Sequence, residues 1–286
     1  MSGRKAATAA TIHRDVFRKG SRTYFNSSLF FPPAVRDDVF VLYGFVRTAD
    51  DFVDAVPQNE RGFAAFKARW ERARAGQTVD DVIVASFAEL ARRRDFDPAW
   101  TEAFLRSMEM DLRKRRYESL EETLEYIYGS AEVIGLFMAR LMDLPAESHH
   151  GARMLGRAMQ YINFVRDIAE DLSFGRTYLP LSGSGLEDLA EETARRNPEA
   201  FAAFVRRQLD LYRGWQAEAE RAYRFLPPRY LVPIKTAADM YNWTAATIAA
   251  DPFVVYRRKV KPGRARILLR ILSNALGGAR TGARDA

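Results

Sequence analysis

The stretch Tyr161-Ile162-Asn163-Phe164-Val165-Arg166-Asp167-Ile168-Ala169-Glu170-Asp171 carries an oxygen-bearing side chain at every fourth position, Asn163, Asp167 and Asp171. On an α-helix, residues four apart lie one turn above each other on the same face. The column drifts by about 40° per step because a turn holds roughly 3.6 residues. Ile162, Val165 and Ile168 stand between these polar positions, as in a buried helix. Carboxylates among core-type residues are costly unless a positive charge neutralises them. An all-oxygen donor set suits Mg²⁺, which keeps waters and binds through a few carboxylates plus substrate phosphates.

A second stretch answers the first. In Tyr43-Gly44-Phe45-Val46-Arg47-Thr48-Ala49-Asp50-Asp51-Phe52-Val53-Asp54, Asp50 and Asp54 are again four apart, after an apolar run from Val39 to Val46. Arg47 sits one turn before Asp50 on the same face. Two carboxylate columns on two helices, each with an arginine (Arg47 and Arg166), are expected to form facing walls of a diphosphate–metal site. Either column alone would read as an ordinary charged helix surface; the pair, with Asn163 completing the second, does not.

On these residues the chain resembles the squalene/phytoene synthase family, the head-to-head prenyltransferases, and within it the bacterial phytoene synthases. The resemblance covers roughly residues 15–272 and is carried by Gly20-Ser21-Arg22-Thr23-Tyr24, Arg47 to Asp54, Met110-Asp111 leading to Tyr117, and Gln160 to Asp171 followed by Gly175-Arg176-Thr177-Tyr178-Leu179-Pro180. It implies an all-α, single-domain helical bundle of the class I isoprenoid synthase type with a central apolar cavity. It also implies two or three Mg²⁺ ions, with Mn²⁺ able to substitute, held by Asp50, Asp54, Asn163, Asp167 and Asp171. Asp51 and Glu170 would support these ligands. The four column aspartates and Tyr126 would be catalytic, the tyrosine's face steadying a carbocation. Substrate binding would fall to Ser21, Arg22, Thr23, Tyr24, Tyr43, Arg47, Gln160, Arg166, Tyr241 and Arg258. Some relatives carry His where this chain has Gly20, and many carry Tyr where it has Pro252, so these two neighbourhoods transfer less directly.

The implied reaction joins two prenyl diphosphates 1′–1 through a cyclopropylcarbinyl diphosphate. Geranylgeranyl diphosphate is the expected donor and phytoene the product, because Ser27 and Ser28, which border the tail pocket in relatives, are small. NADPH is not expected, since phytoene forms by proton loss, and Ser182-Gly183-Ser184-Gly185 lacks dinucleotide-fingerprint spacing. A C30 synthase making squalene, dehydrosqualene or hydroxysqualene is the alternative within the same chemistry. A non-catalytic relative serving as a scaffold is the alternative outside it.

Composition bounds the rest. The chain has 286 residues, 48% of them hydrophobic, enough for a large core. It has no cysteine and three histidines, which excludes thiolate chemistry and disfavours a His-rich metal site. No apolar run reaches the roughly eighteen residues a spanning helix needs, and Met1 to Thr11 lacks the apolar core of a secretory signal. The expected compartment is the cytoplasm. A net charge of +7 fits a nucleic acid, an anionic membrane or a polyanionic substrate. No nucleic-acid module accompanies it, so no nucleic-acid partner is expected. Monomer or weak dimer is the expected state. Toward the C-terminus, Ile267, Leu268, Leu269, Ile271, Leu272, Ala275 and Leu276 run beside Arg264, Arg266 and Arg270. This reads either as a peripheral membrane-surface element or as a final helix packed on the bundle with its basic face in water.

Apolar spacing predicts helices over 34–56, 60–75, 79–94, 98–114, 120–143, 147–172, 198–225, 228–250 and 262–276, broken at prolines and glycines. One domain is expected over 15–277, after a flexible arm at 1–14 and before a disordered tail at 278–286. Gly129, Ser130, Ala131 and Gly135 are small enough to admit a neighbouring helix or an apolar ligand. Phe174 to Pro180 is expected to turn into an extended flap.

Overall fold

The computed structural model describes residues 2–20 and 31–282, with side chains described for 9–18 and 31–276. Among these residues the chain is helical, with no strand; one isolated bridge joins Arg116 to Thr177. In chain order the helices are α1 (Ser2–Gly20), α2 (Pro33–Asp54), α3 (Glu60–Arg74), α4 (Val82–Arg93), α5 (Pro98–Arg113), α6 (Leu120–Ile127) and α7 (Val133–Leu141). There follow α8 (His149–Arg166), α9 (Ile168–Ser173), α10 (Glu191–Arg196), α11 (Pro198–Glu220), α12 (Pro228–Ala250), α13 (Val254–Arg257) and α14 (Arg264–Gly282). None of the described helices is long and apolar enough to cross a membrane. The nine stretches expected from spacing are helical, two of them in pieces: 120–143 divides at Tyr128–Glu132 and 147–172 at Asp167. Helix also covers much of the stretches expected to be a flexible arm and a disordered tail.

Local chemistry sets many of the boundaries. α2, α11 and α12 begin with proline in the first turn, where the missing N–H costs nothing. Asn59, Asp81 and Ser119 cap α3, α4 and α6, each accepting a hydrogen bond from the backbone N–H three residues on, at 2.9, 3.1 and 3.2 Å.

The chain falls into two compact units, Met1–Arg113 with Phe137–Leu144, and Lys114–Leu136 with Pro145–Ala286. The first unit is organised around an aromatic core. Phe45 on α2 stacks on Phe87 of α4 at 3.9 Å between centroids and meets Trp70 of α3 edge-on. Phe96 and Phe137 complete it, 4.7 Å apart. Buried Asp38 on α2 accepts from Arg93 at 2.5 Å and Arg94 at 2.8 Å, which ties α2 to the end of α4. With Val35, Val39, Leu42, Phe45, Ala49 and Val53 turned inward, the remaining arc of α2 carries Tyr43, Arg47, Asp50 and Asp54.

In the second unit α8 lies against α11 and against the turn before α7. That turn, Tyr128–Glu132, is a π-helical insertion. The helices meet backbone to backbone: a Cβ on Gly135 would lie 2.2 Å from the Ala152 carbonyl oxygen, and one on Gly156 would lie 2.3 Å from that of Ala131. The small residues at 129–135 therefore serve helix approach. Glu132, fully buried, accepts from Arg153 at 2.9 Å and Arg157 at 2.6 Å. A buried carboxylate held by two guanidiniums fixes the register of this crossing.

Candidate active site

The first column stands on α2. Arg47 donates to Asp50 at 2.8 Å and pairs with Asp51 at 2.5 Å. Asp51 thus shares Arg47 with Asp50. Burial pushes the Asp50 carboxyl up to about 7, and the charges of Asp54 and Asp111 add to the shift while Arg47 opposes it. A third of the Asp50 side chain (33%) is still accessible, so a cation can reach it. Burial works against the Arg47 charge, but Asp50 and Asp51 outweigh it and hold the guanidinium pKa above its usual value. Tyr43, one turn earlier, stacks on Phe17 at 3.9 Å, and burial raises its hydroxyl pKa.

Asp111 is the member of this group that sequence reasoning left without a role. It is 2% exposed, near the end of α5. Phe104, Met108 and Asp111 follow i, i+4, i+7 spacing, so an acid stands on the buried face of its helix. That misplaced charge was the available signal. Gln58 donates to the Asp111 carbonyl at 2.9 Å and to that of Val53 at 2.8 Å, which ties this end of α5 to α2.

The second column stands at the junction of α8 and α9. The expected continuous helix 147–172 is interrupted: Asp167 leaves helical geometry at φ −101°, ψ 17°. The N–H of Asp167 still reaches the Asn163 carbonyl, and the N–H of Asp171 that of Asp167, both at 2.8 Å, so the four-residue column survives the kink. On a regular helix adjacent residues do not face each other. The distortion accompanies a two-pronged pairing of Arg166 with Asp167, whose Nε–Oδ1 arm is 2.8 Å. Lys259 lies 3.5 Å from Asp167 and pairs directly with Glu170. Lys261 has its pKa lowered by burial and by the charges of Lys259 and Arg166.

The resemblance assigns Arg258 to substrate binding; the cation that lies near Asp167 is its neighbour Lys259. Arg258 is exposed and lies in extended backbone just past α13. Gln160 and Tyr241 are half-buried on α8 and α12. Ser21, Arg22, Thr23, Tyr24, Ser27 and Ser28 lie outside the described residues.

Tyr126 is buried in an aromatic cluster with Tyr117 at 5.6 Å and Tyr178 at 5.1 Å, and Phe164 stacks on Tyr178 at 4.2 Å. Phe164 follows Asn163 directly, so this cluster packs on the helix that carries the second column. The segment after Gly175 (φ +69°) is pinned rather than a free flap. Thr177 donates to the Arg115 carbonyl at 2.8 Å, its own carbonyl accepts from Tyr117 at 3.1 Å, and Thr123 donates to the Tyr178 carbonyl at 2.8 Å. Arg176, Tyr178 and Leu179 are buried there.

The donor chemistry fits a hard divalent cation. The Asn163 Oδ1 is buried without a hydrogen-bond partner among the described residues, a neutral oxygen whose desolvation none of them offsets. Asp50 is crowded by like charges that a cation would relieve. Among the described residues no three acidic or histidine side chains converge on one metal position. Mg²⁺ needs only one or two carboxylates when substrate phosphates complete its shell.

A family model described as squalene/phytoene synthase matches residues 17–266. The chain is 30% identical over 263 residues to a 15-cis-phytoene synthase of a Paracoccus species, covering 88% of this chain and 86% of the relative. It is 31% identical over 237 residues to the 15-cis-phytoene synthase of Pantoea ananas, covering 78% and 77%. Among solved structures, a squalene synthase from Alicyclobacillus acidocaldarius superposes with a TM-score of 0.77 at 22% identity, over 86% of this chain and 95% of that one. A dehydrosqualene synthase bound to a ligand superposes at 0.81 with 18% identity, over 99% of both chains. At these identities the solved structures speak for the fold.

Proposed function

The chain belongs to the squalene/phytoene synthase family, and we propose that it condenses two geranylgeranyl diphosphates head to head into phytoene. The observation that carries the reading is the similarity to 15-cis-phytoene synthases at about 30% identity along most of both chains. The survival of both carboxylate columns, which a non-catalytic relative would not need, supports it.

Asp50 and Asp54 on α2, and Asn163, Asp167 and Asp171 at the second column, would hold the Mg²⁺ ions. Bound there, Mg²⁺ supplies neutralisation of the leaving diphosphate, which lowers the barrier to ionisation. Arg47, Arg166, Lys259 and Lys261 are the cations set beside the carboxylates, and they serve as donors to diphosphate oxygens. Ionisation of one donor leaves an allylic cation. The double bond of the second donor attacks it, and proton loss closes a cyclopropane ring that still carries one diphosphate. Loss of that diphosphate, rearrangement to the 1′–1 linkage and a second proton loss give the hydrocarbon. No electron pair enters from outside, so no reductant is required. Tyr126, with Tyr117 and Tyr178 around it, offers π-faces to the cationic intermediates, and a dry apolar lining keeps water from quenching them.

Purified protein incubated with Mg²⁺ and either geranylgeranyl or farnesyl diphosphate, with and without NADPH, tests the reading by mass spectrometry of extracted hydrocarbons. A C40 product formed without NADPH is expected. A C30 product would keep the chemistry and overturn the choice of donor; no product from either donor would overturn the enzyme.

A further inference from the structure

α14 leaves its leucine face in water. Its polar side chains turn toward α12: Arg270 donates to Asp239 at 2.8 Å, Asn274 donates to Asp239 at 2.9 Å and to Thr236 at 3.1 Å, and Arg266 lies 4.8 Å over the Trp243 ring. Asp239 is 9% exposed, so these bonds satisfy a buried carboxylate. Lys235 on α12 also pairs with Asp239, at 3.2 Å, so turning the leucine face inward would cost this carboxylate Arg270 and Asn274 and leave it a single cation.

The consequence falls on the opposite face. Leu268, Leu269, Leu272 and Leu276 are 60%, 68%, 60% and 70% exposed, and they make up most of the large exposed hydrophobics among the described residues. On a helical projection they cover roughly 100° of the circumference. Arg266 and Arg270 make their contacts on the α12 side while staying exposed, and Ile267 and Ile271 are half-buried, so the face left fully in water is the leucine one. A contiguous apolar stripe of this kind calls for an apolar partner.

We infer that the leucine face of α14 is a docking surface for an anionic lipid bilayer, on which the helix lies parallel to the membrane plane. Charge selects this occupant. From Arg257 to Ala286 the chain has nine Lys or Arg and one acid, Asp285. A second copy docking on the same face would bring two such cationic segments together. Anionic headgroups complement them, while the leucines enter the headgroup–acyl boundary. The surface is argued from the helix alone and stands whichever prenyl diphosphate the enzyme takes.

Co-sedimentation of the full chain with vesicles of phosphatidylcholine, with and without phosphatidylglycerol, tests it. The protein is expected to partition onto the anionic vesicles. Leu268→Ser/Leu272→Ser is expected to weaken that partition at least roughly tenfold, with an unchanged thermal midpoint. Because the chain has no cysteine, Leu276→Cys carrying an environment-sensitive dye gives a second reading that does not depend on the double variant folding. Its emission should shift to the blue on anionic vesicles. Absence of vesicle binding, unshifted emission, or a dimer that the double variant converts to monomer would each overturn the inference, the last in favour of a second copy.

Discussion

On α2, Asp50 has Asp54, Asp111 and Asp51 for neighbours and is paired with Arg47, whereas at the kink between α8 and α9 Asp167 is forked by Arg166 and approached by Lys259. The same four-residue spacing thus stands in two electrostatic settings. The first column is an acid excess that burial and like charge push toward protonation. The second comes with its own cations and offers, beside them, the unpartnered oxygen of Asn163. A metal bound as proposed would bring charge relief to the first column. At the second it would satisfy an oxygen and share the carboxylate with two cations. Identical spacing therefore does not mean identical tasks.

The largest effect should come from removing either column. Asp50→Ala and Asp167→Ala are each expected to lower product formation by about a thousandfold or more, since each takes away a ligand at developing charge. Turnover measured at saturating Mg²⁺ checks this, and a strong loss at one column alone would show that only that column serves ionisation. Asn163→Ala should raise the Mg²⁺ concentration for half-maximal activity by about 10–100-fold. An unchanged Mg²⁺ dependence would break the assignment of its free oxygen to metal.

The contrast also has a pH signature. Because the folded-state pKa of Asp50 lies near 7, above its ordinary value of 3.8, the metal-free fold favours the protonated carboxyl. Its unfavourable contribution is absent in acid and grows as the pH rises from about 4 to 7. Mg²⁺–pyrophosphate binding should therefore strengthen with rising pH up to about 7 and level off above it, as metal displaces the proton. Calorimetric titration across that window would show it. Asp50→Asn should stabilise the metal-free protein by about 1–2 kcal/mol at pH 8, a figure reduced for the accessible third of the side chain. That gain should vanish near pH 4. The smallest effect belongs to the second column, where Lys259→Met should change stability by less than about 1 kcal/mol because its pairs are half-exposed. Thermal or urea unfolding of the two variants side by side would show whether the acid excess is confined to α2.

The sequence by itself determined where the bundle's long helices run and the spacing of the two columns. A helix is a local periodicity, and both the apolar spacing of α2 and the recurrence at 163, 167 and 171 repeat within a few turns. Only the tertiary structure decided which charge meets which. Asp111 stands near Asp50 and Lys259 near Asp167 across separations of 61 (111 − 50) and 92 (259 − 167) residues, and no repeat reports such pairs. The kink at Asp167 lies inside a helical pattern, and the Glu132 clasp depends on a turn that gained a residue. On α14 the sequence showed two faces but not which one meets the bundle. The contacts to Asp239 decide that: Lys235 alone pairs with this buried carboxylate from its own helix, and Arg270 and Asn274 of α14 complete its partners.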